Sequence, residues 1–247
     1  MQEIKDFDDR RQIAILQTKE DAIHFAADHW IHTAQRSIQQ RGRFAAALSG
    51  GSTPKAIYEL IARKHAKSID WKKVWLFWSD ERAVPPDHND SNYKMVLDTG
   101  FFKTLPIPAS QIFRMHGEGN LDQNALNYED TIKRELGNHL FDCVMLGVGE
   151  DGHTASLFPN TEAVNEKQKL VVANRIADSK MRLTLTFTCI EKSALASFYA
   201  FGASKAHIVF SVLKAPVLSP FPASRVGSFE KKALWILDQE AAKLIKT

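Results

Sequence analysis

Cysteine is scarce: 2 residues in 247, too few for a disulfide scaffold. Cys143 and Cys189 sit inside the apolar stretches Asp142–Leu146 and Leu183–Ile190, with no CxxC pair and no histidine at ligand spacing. Buried reduced thiols are expected, and no metal site. Long apolar runs are absent as well. Nothing reaches the roughly 18 residues that a membrane helix needs. Met1–Arg11 is acidic and polar, without the apolar core of a signal peptide, so a soluble, cytoplasmic protein with no membrane contact is expected. Charge of one sign is missing too. Lys+Arg of 32 against Asp+Glu of 29 leaves +3, and no basic run stands out, which argues against nucleic-acid binding.

What is present is an ordinary globular balance, with 44% hydrophobic and 25% charged residues, enough for a sizeable core in one domain spanning 1–247. Short apolar runs alternate with helical patterns. Ile23, Ala27, Trp30, Ile31, Ala34 and Ile38 recur at three- and four-residue steps, predicting a helix over Lys19–Gln40 that Gly42 ends. A second helix is predicted over Asp122–Leu136, closed by Gly137. Arg43–Leu48, Val74–Trp78, Asp142–Leu146, Leu170–Ala173, Arg182–Phe187, Ser197–Phe201 and Ala233–Leu237 read as strands. Continuously apolar strands interleaved with helices predict an α/β fold, a mostly parallel sheet covered by helices on both faces. Ligands of such sheets bind beyond the carboxyl ends of the strands, so the polar loops there are the place to search.

Three loops qualify. In Ser49-Gly50-Gly51-Ser52-Thr53-Pro54, glycines let the backbone approach an anion, and the following helix start adds free N–H groups. Thr53 suits the N-cap, and Pro54 suits the first helical turn. The same residues also fit a plain strand-to-helix turn. The GK[ST] ending of a nucleoside-triphosphate loop is absent. In Ser79-Asp80-Glu81-Arg82, three charges follow a buried strand. Arg82 suits a phosphate or oxyanion and Asp80 a polar substrate group, while a salt-bridged loop is the alternative.

The third loop, Gly147-Val148-Gly149-Glu150-Asp151-Gly152-His153, matches G-x-G-x-x-G literally. Pro159 follows too soon for the packing helix of a dinucleotide site, and Leu170–Asn174 supplies no ribose-binding acid. What remains is a turn presenting Asp151 and His153, either structural or a proton acceptor with its orienting acid. His24, His29 and His32 do not stack on one helix face and read as a solvated edge; His88 and His116 lie in polar loops without a recognisable partner. Arg182 and Lys205 stand at strand ends, each either a phosphate contact or a surface charge.

Together these segments resemble the 6-phosphogluconolactonase family: Leu48–Pro54, Ser79–Pro85 continuing to Ser91-Asn92-Tyr93, Gly147–Pro159, Arg182–Thr186 and Ala233–Asp238. Gly-Glu-Asp-Gly-His-Thr-Ala-Ser-Leu-Phe-Pro is the most specific of them. The resemblance implies the sugar-phosphate isomerase/deaminase-like (Rossmann-like) fold. It also implies hydrolysis of 6-phosphoglucono-δ-lactone to 6-phosphogluconate, in the cytosol, without metal or organic cofactor. On that chemistry His153 would activate water with Asp151 orienting it, and Arg82 and Asp80 would serve the substrate. Gly50, Gly51, Ser52 and Thr53, with Lys205 and Arg182, would hold the phosphate.

The chain departs from the family at Asp178-Ser179-Lys180-Met181, where relatives often carry a proline-containing segment. Glucosamine-6-phosphate deaminases on the same fold usually read Asp-Glu-Tyr where this chain has Asp80-Glu81-Arg82, and they differ again after the histidine. A non-catalytic sugar-phosphate sensor would normally add a DNA-binding helix-turn-helix, for which the stretch before Gly50 has little room. Nothing in the sequence demands a partner chain, so a monomer or weak dimer is expected.

Overall fold

The computed structural model describes residues 3–176 and 180–245. The described strands are Lys5–Asp6 (β1), Arg11–Leu16 (β2), Phe44–Leu48 (β3), Val74–Trp78 (β4), Asp80–Arg82 (β5), Cys143–Leu146 (β6), Val171–Arg175 (β7), Met181–Leu185 (β8), Ala196–Ala200 (β9) and Ala233–Asp238 (β10). The α-helices are Lys19–Arg41 (α1), Ser52–Lys64 (α2), Asn92–Asp98 (α3), Phe101–Thr104 (α4), Leu121–Leu136 (α5), Phe187–Lys192 (α6), Ala206–Lys214 (α7) and Gln239–Ala242 (α8).

Seven strands form one sheet in the order β1-β2-β10-β9-β6-β3-β4. Every pairing in it is parallel except β1 with β2. Its central strands are apolar throughout because both faces are covered: β3, β6 and β10 have no exposed residue. From β2 through β3 to β4 the chain steps toward one edge; from β4 to β6, β9 and β10 it steps back. Right-handed crossovers therefore put α1 and α2 on one face and α5 and α7 on the other. The reversal falls between β3 and β6, which opens a crevice at their carboxyl ends.

Local signals account for the long helix. The Thr18 hydroxyl accepts the Asp21 N–H (3.1 Å) while Asp21 accepts the Thr18 N–H (3.2 Å), a capping box at the start of α1. Gly42 ends it as predicted. Trp30 on the buried face meets Phe44 of β3 edge-on at 4.8 Å and stacks near Trp71 at 6.0 Å. Burying each such ring contributes on the order of 1.5–3 kcal/mol.

Two sequence expectations are corrected here. Leu170–Ala173 and Arg182–Phe187 do not join the parallel sheet. β7 and β8 pair antiparallel with each other, and β8 pairs antiparallel with β5, as a separate three-stranded sheet. The physical reason is connection length: 176–180 is too short for a parallel crossover. Asp80–Arg82, read as a loop, is therefore a strand. Ser79 is the pivot. Its N–H and hydroxyl both donate to the Leu48 carbonyl (2.7 and 3.1 Å), and its own carbonyl accepts from Leu185 N–H (2.8 Å). Phe187 leaves the strand to start α6, which Thr186 caps. Of the segment where the chain departs from the pattern it resembles, Asp178 and Ser179 lie outside the described residues.

His29 is also more enclosed than a solvated edge. It is half-buried, and desolvation, with His32 and Arg36 nearby, lowers its pKa to about 4. His88 and His116 do have partners: Asp90 N–H donates to His88 Nδ1 (3.1 Å), and His116 Nδ1 lies 3.2 Å from Glu118. Both cysteines are buried free thiols, as expected. No described helix is long and apolar enough to cross a membrane.

Candidate active site

The crevice at the switch between β3 and β6 is a cleft of about 280 Å³. Loops from the carboxyl ends of β3, β4, β6 and β9 build it, and the small sheet supplies one wall.

The first wall is Ser49–Pro54. The structure makes Gly51, not Thr53, the N-cap of α2, and no side chain caps this end. Gly51 adopts φ 102°, a region closed to residues with a Cβ, and the helix begins two residues early, at Ser52. Its first N–H groups have no side-chain cap, and Ser52 and Thr53 line the cleft. Tyr58 Oη, inside α2, ties the loop back by accepting Ser49 N–H and donating to Ser49 O, both at 2.9 Å.

The second wall is the small sheet. Arg82 and Arg182 stand directly opposite each other in the antiparallel β5–β8 pair, and both line the cleft. Like charges so placed are destabilising unless something anionic lies between them. Asp80 compensates in part, with its carboxylate 3.8 Å from Arg182 Nη1. Burial, opposed chiefly by Asp80, holds the Arg182 pKa below arginine's ordinary value. Arg82 donates from Nη1 to the Asp90 carbonyl (2.6 Å), which leaves its buried Nε without a partner among the described residues.

Beneath Arg82, the buried Glu81 carboxylate accepts the N–H groups of Arg82 (2.8 Å), Asn92 (2.7 Å) and Tyr93 (2.8 Å) and the Ser91 hydroxyl (3.0 Å). Burial raises its pKa despite those donors. This carboxylate ties the 90–93 segment to the arginine strand.

The third wall is the β6 loop. His153 Nδ1 lies 2.6 Å from Asp151 Oδ1, which also accepts the His153 backbone N–H at 3.1 Å. Partial burial works against ionisation of Asp151, but the two hydrogen bonds from His153 outweigh it and hold the carboxyl below the usual range. An ionised carboxylate only accepts, so Nδ1 carries the proton and Nε2 is free to take one. The ring stacks on Phe158 at 4.0 Å between centroids. A Cβ on Gly149 would lie 2.1 Å from both Cε1 and Nδ1 of His153, so only glycine admits the ring in this position.

Ala155 also lines the cleft, at φ 47°, a strained conformation for alanine. Its neighbour Ser156 holds it there: Ser156 N–H donates to Thr184 Oγ1 (3.1 Å), its hydroxyl to Asp80 (2.6 Å), and its carbonyl accepts from Asn174 (2.8 Å). The small sheet thus positions the histidine loop. Lys205, from the turn after β9, completes the lining, its ammonium 2.8 Å from the Val148 carbonyl.

The sequence model of the family described as "Glucosamine-6-phosphate isomerases/6-phosphogluconolactonase" matches residues 17–235. The chain belongs to this family. A 6-phosphogluconolactonase of Chlamydia muridarum is 38% identical over 236 residues, 95% of this chain and 91% of its own. One of Haemophilus influenzae is 33% identical over 201 residues, 81% of this chain and 86% of its own. Among solved structures, a 6-phosphogluconolactonase from Thermotoga maritima aligns with TM-score 0.79 at 26% identity, covering 92% of this chain and 98% of that one. A monomeric glucosamine-6-phosphate deaminase gives TM-score 0.79 at 24% identity over 94% of this chain and 99% of its own, a likeness of fold.

In this member of the glucosamine-6-phosphate isomerase/6-phosphogluconolactonase family, Gly50–Thr53, Asp80, Arg82, His153, Arg182 and Lys205 all line one cleft. Asp151 stands behind His153. The residues that sequence reasoning passed over are those holding these in place: Glu81, Ser156 and Asn92. Asn92 falls within the quoted Ser91-Asn92-Tyr93, but only the fold brings it against Gly50 and Asp80. Among the described residues no group of three or more His, Cys, Asp or Glu is arranged to hold a metal ion.

Proposed function

We propose that the protein hydrolyses 6-phosphoglucono-δ-lactone to 6-phosphogluconate. The observation that carries this reading is that His153, oriented by Asp151, shares one cleft with three cationic side chains and an open helix start. The lactonases related to this chain at up to 38% identity over most of its length support the choice of substrate, as does Arg82 where the deaminases carry tyrosine.

The chemistry follows from the groups present. The phosphate lies against Gly50–Thr53 and Lys205, where backbone N–H groups and an ammonium meet its charge. Anchoring that remote dianion sets the lactone carbonyl before His153. Nε2 takes a proton from water, and the hydroxide forms a bond to the carbonyl carbon. Arg82 and Arg182 steady the oxyanion and the substrate. The ring C–O bond then breaks, and the proton on Nε2 passes to the departing ring oxygen. The product acid ionises at neutral pH and releases one proton per turnover. Asp80 holds Arg182 and Asn92 in place.

Base titration of fresh lactone tests this. The wild type should release acid well above the spontaneous rate. His153→Ala should lose about 10²- to 10⁴-fold of the enzymatic rate with its fold intact. A His153→Ala rate within threefold of wild type would remove His153 from the mechanism. Ammonia release from glucosamine 6-phosphate, without lactone turnover, would assign the cleft to the deaminase reaction instead.

A further inference from the structure

We propose that Asn92 determines substrate specificity: its side-chain oxygen accepts a hydrogen bond from one secondary hydroxyl of the sugar, between the phosphate and the carbonyl carbon. The inference rests on the lactonase reading above and adds a contact to it.

Asn92 is fully buried yet lines the cleft. Its backbone N–H is fixed by Glu81 at 2.7 Å. Its amide nitrogen donates to the Asp80 carbonyl at 2.8 Å and to the Asp80 carboxylate at 3.2 Å. Those two acceptors settle the orientation of the amide, because turning it over would set Oδ1 against two oxygens. Oδ1 is thereby held away from Asp80. It is a buried acceptor with no partner among the described residues.

Leaving a buried acceptor unpaired costs free energy, and that cost is recovered when a donor arrives. Gly50 keeps the approach tight: a Cβ there would lie 1.8 Å from Oδ1. Oδ1 therefore sits beside the anion loop without being able to serve the anion. A phosphate dianion and a lactone carbonyl carry only lone pairs toward it. The donors such a substrate owns are its hydroxyls at C2, C3 and C4, and a site built around one hydroxyl discriminates against analogues that lack it.

The experiment compares kcat/KM for the parent lactone and its 2-, 3- and 4-deoxy analogues in wild type, Asn92→Ala and Asn92→Asp. For one analogue, the wild type should prefer the parent by about tenfold through this bond. In Asn92→Ala that preference should shrink to within about twofold, while selectivity at the other two positions persists. Asn92→Asp sets a carboxylate oxygen against the two Asp80 oxygens, so its side chain is displaced and it should lose the same preference as Asn92→Ala. A loss shared equally by all four lactones in Asn92→Ala would overturn the proposal and leave Asn92 a support for Asp80. Should Asn92→Ala fail to fold, Asn92→Asp decides: a preference lost at one hydroxyl position only supports the contact, and a loss shared equally by all four lactones refutes it. Failure of the wild type to accelerate hydrolysis of the parent lactone overturns the functional reading itself, before any variant is compared.

Discussion

Adding one methyl group at Gly149 should silence the enzyme while barely touching its stability. Gly149 lies outside the positive-φ residues, so its backbone accepts alanine without strain. The new Cβ, however, would stand 2.1 Å from His153 Cε1 and Nδ1, where ordinary contact begins at 3.4 Å. The imidazole must therefore recede by 3.4 − 2.1, or about 1.3 Å. It can do so at small cost, because the ring is 28% exposed and faces a cleft. The fold should lose less than about 1 kcal/mol, as at partly exposed sites generally.

The 2.6 Å bond to Asp151 and the 4.0 Å stack on Phe158 do not survive such a move. A displacement of about 1 Å in a catalytic group costs on the order of 10²-fold. Gly149→Ala should accordingly show a kcat about a hundredfold lower by base titration, and a urea midpoint close to wild type. Activity within twofold of wild type would refute the assignment of catalysis to this imidazole geometry. A matching collapse of the urea midpoint would refute the claim that the methyl acts on the site and not the fold.

Glu81→Gln exchanges one carboxylate oxygen for an NH2 group that faces two donors, and should cost at least about 1–3 kcal/mol in urea unfolding; an unchanged midpoint would show that Glu81 does not organise the 90–93 segment. Lys205→Ala should raise KM for the phosphorylated lactone about ten- to a hundredfold with kcat little altered, as expected for losing a charge-assisted contact; an unchanged KM would remove Lys205 from the phosphate site. Burial pushes the Cys143 thiol up to about 12 and raises Cys189 further, so neither should react with a thiol reagent in the native state. Their modification should keep pace with global unfolding, and rapid labelling of the folded protein would contradict the burial.

The legible parts of the site were those where one short segment carries its own chemistry. His153 and Asp151 are two residues apart, and their hydrogen bond is made within one turn. Ser49–Pro54 runs from strand into helix in six residues, so its place beyond a strand end could be read directly, although the cap falls at Gly51 and not Thr53. The illegible parts were partnerships across long sequence separations. Arg82 faces Arg182 only because β5 leaves the main sheet at Ser79 and pairs with β8. The short 176–180 link hinted at an antiparallel pair, but an apolar strand of the small sheet reads the same as a buried parallel one. Asn92 stood only as part of a family segment, because nothing local indicates that Glu81 and Asp80 hold it from both ends.

Local sequence determined the alternation of apolar strand and amphipathic helix, the ends of α1, and the turn that carries the imidazole, because side-chain period, caps and tight turns act over a few residues. Tertiary structure alone decided that a second sheet exists, which arginines oppose each other, and which buried acceptor is left without a donor. Those outcomes depend on which strands end up adjacent, and that is settled by packing the whole chain.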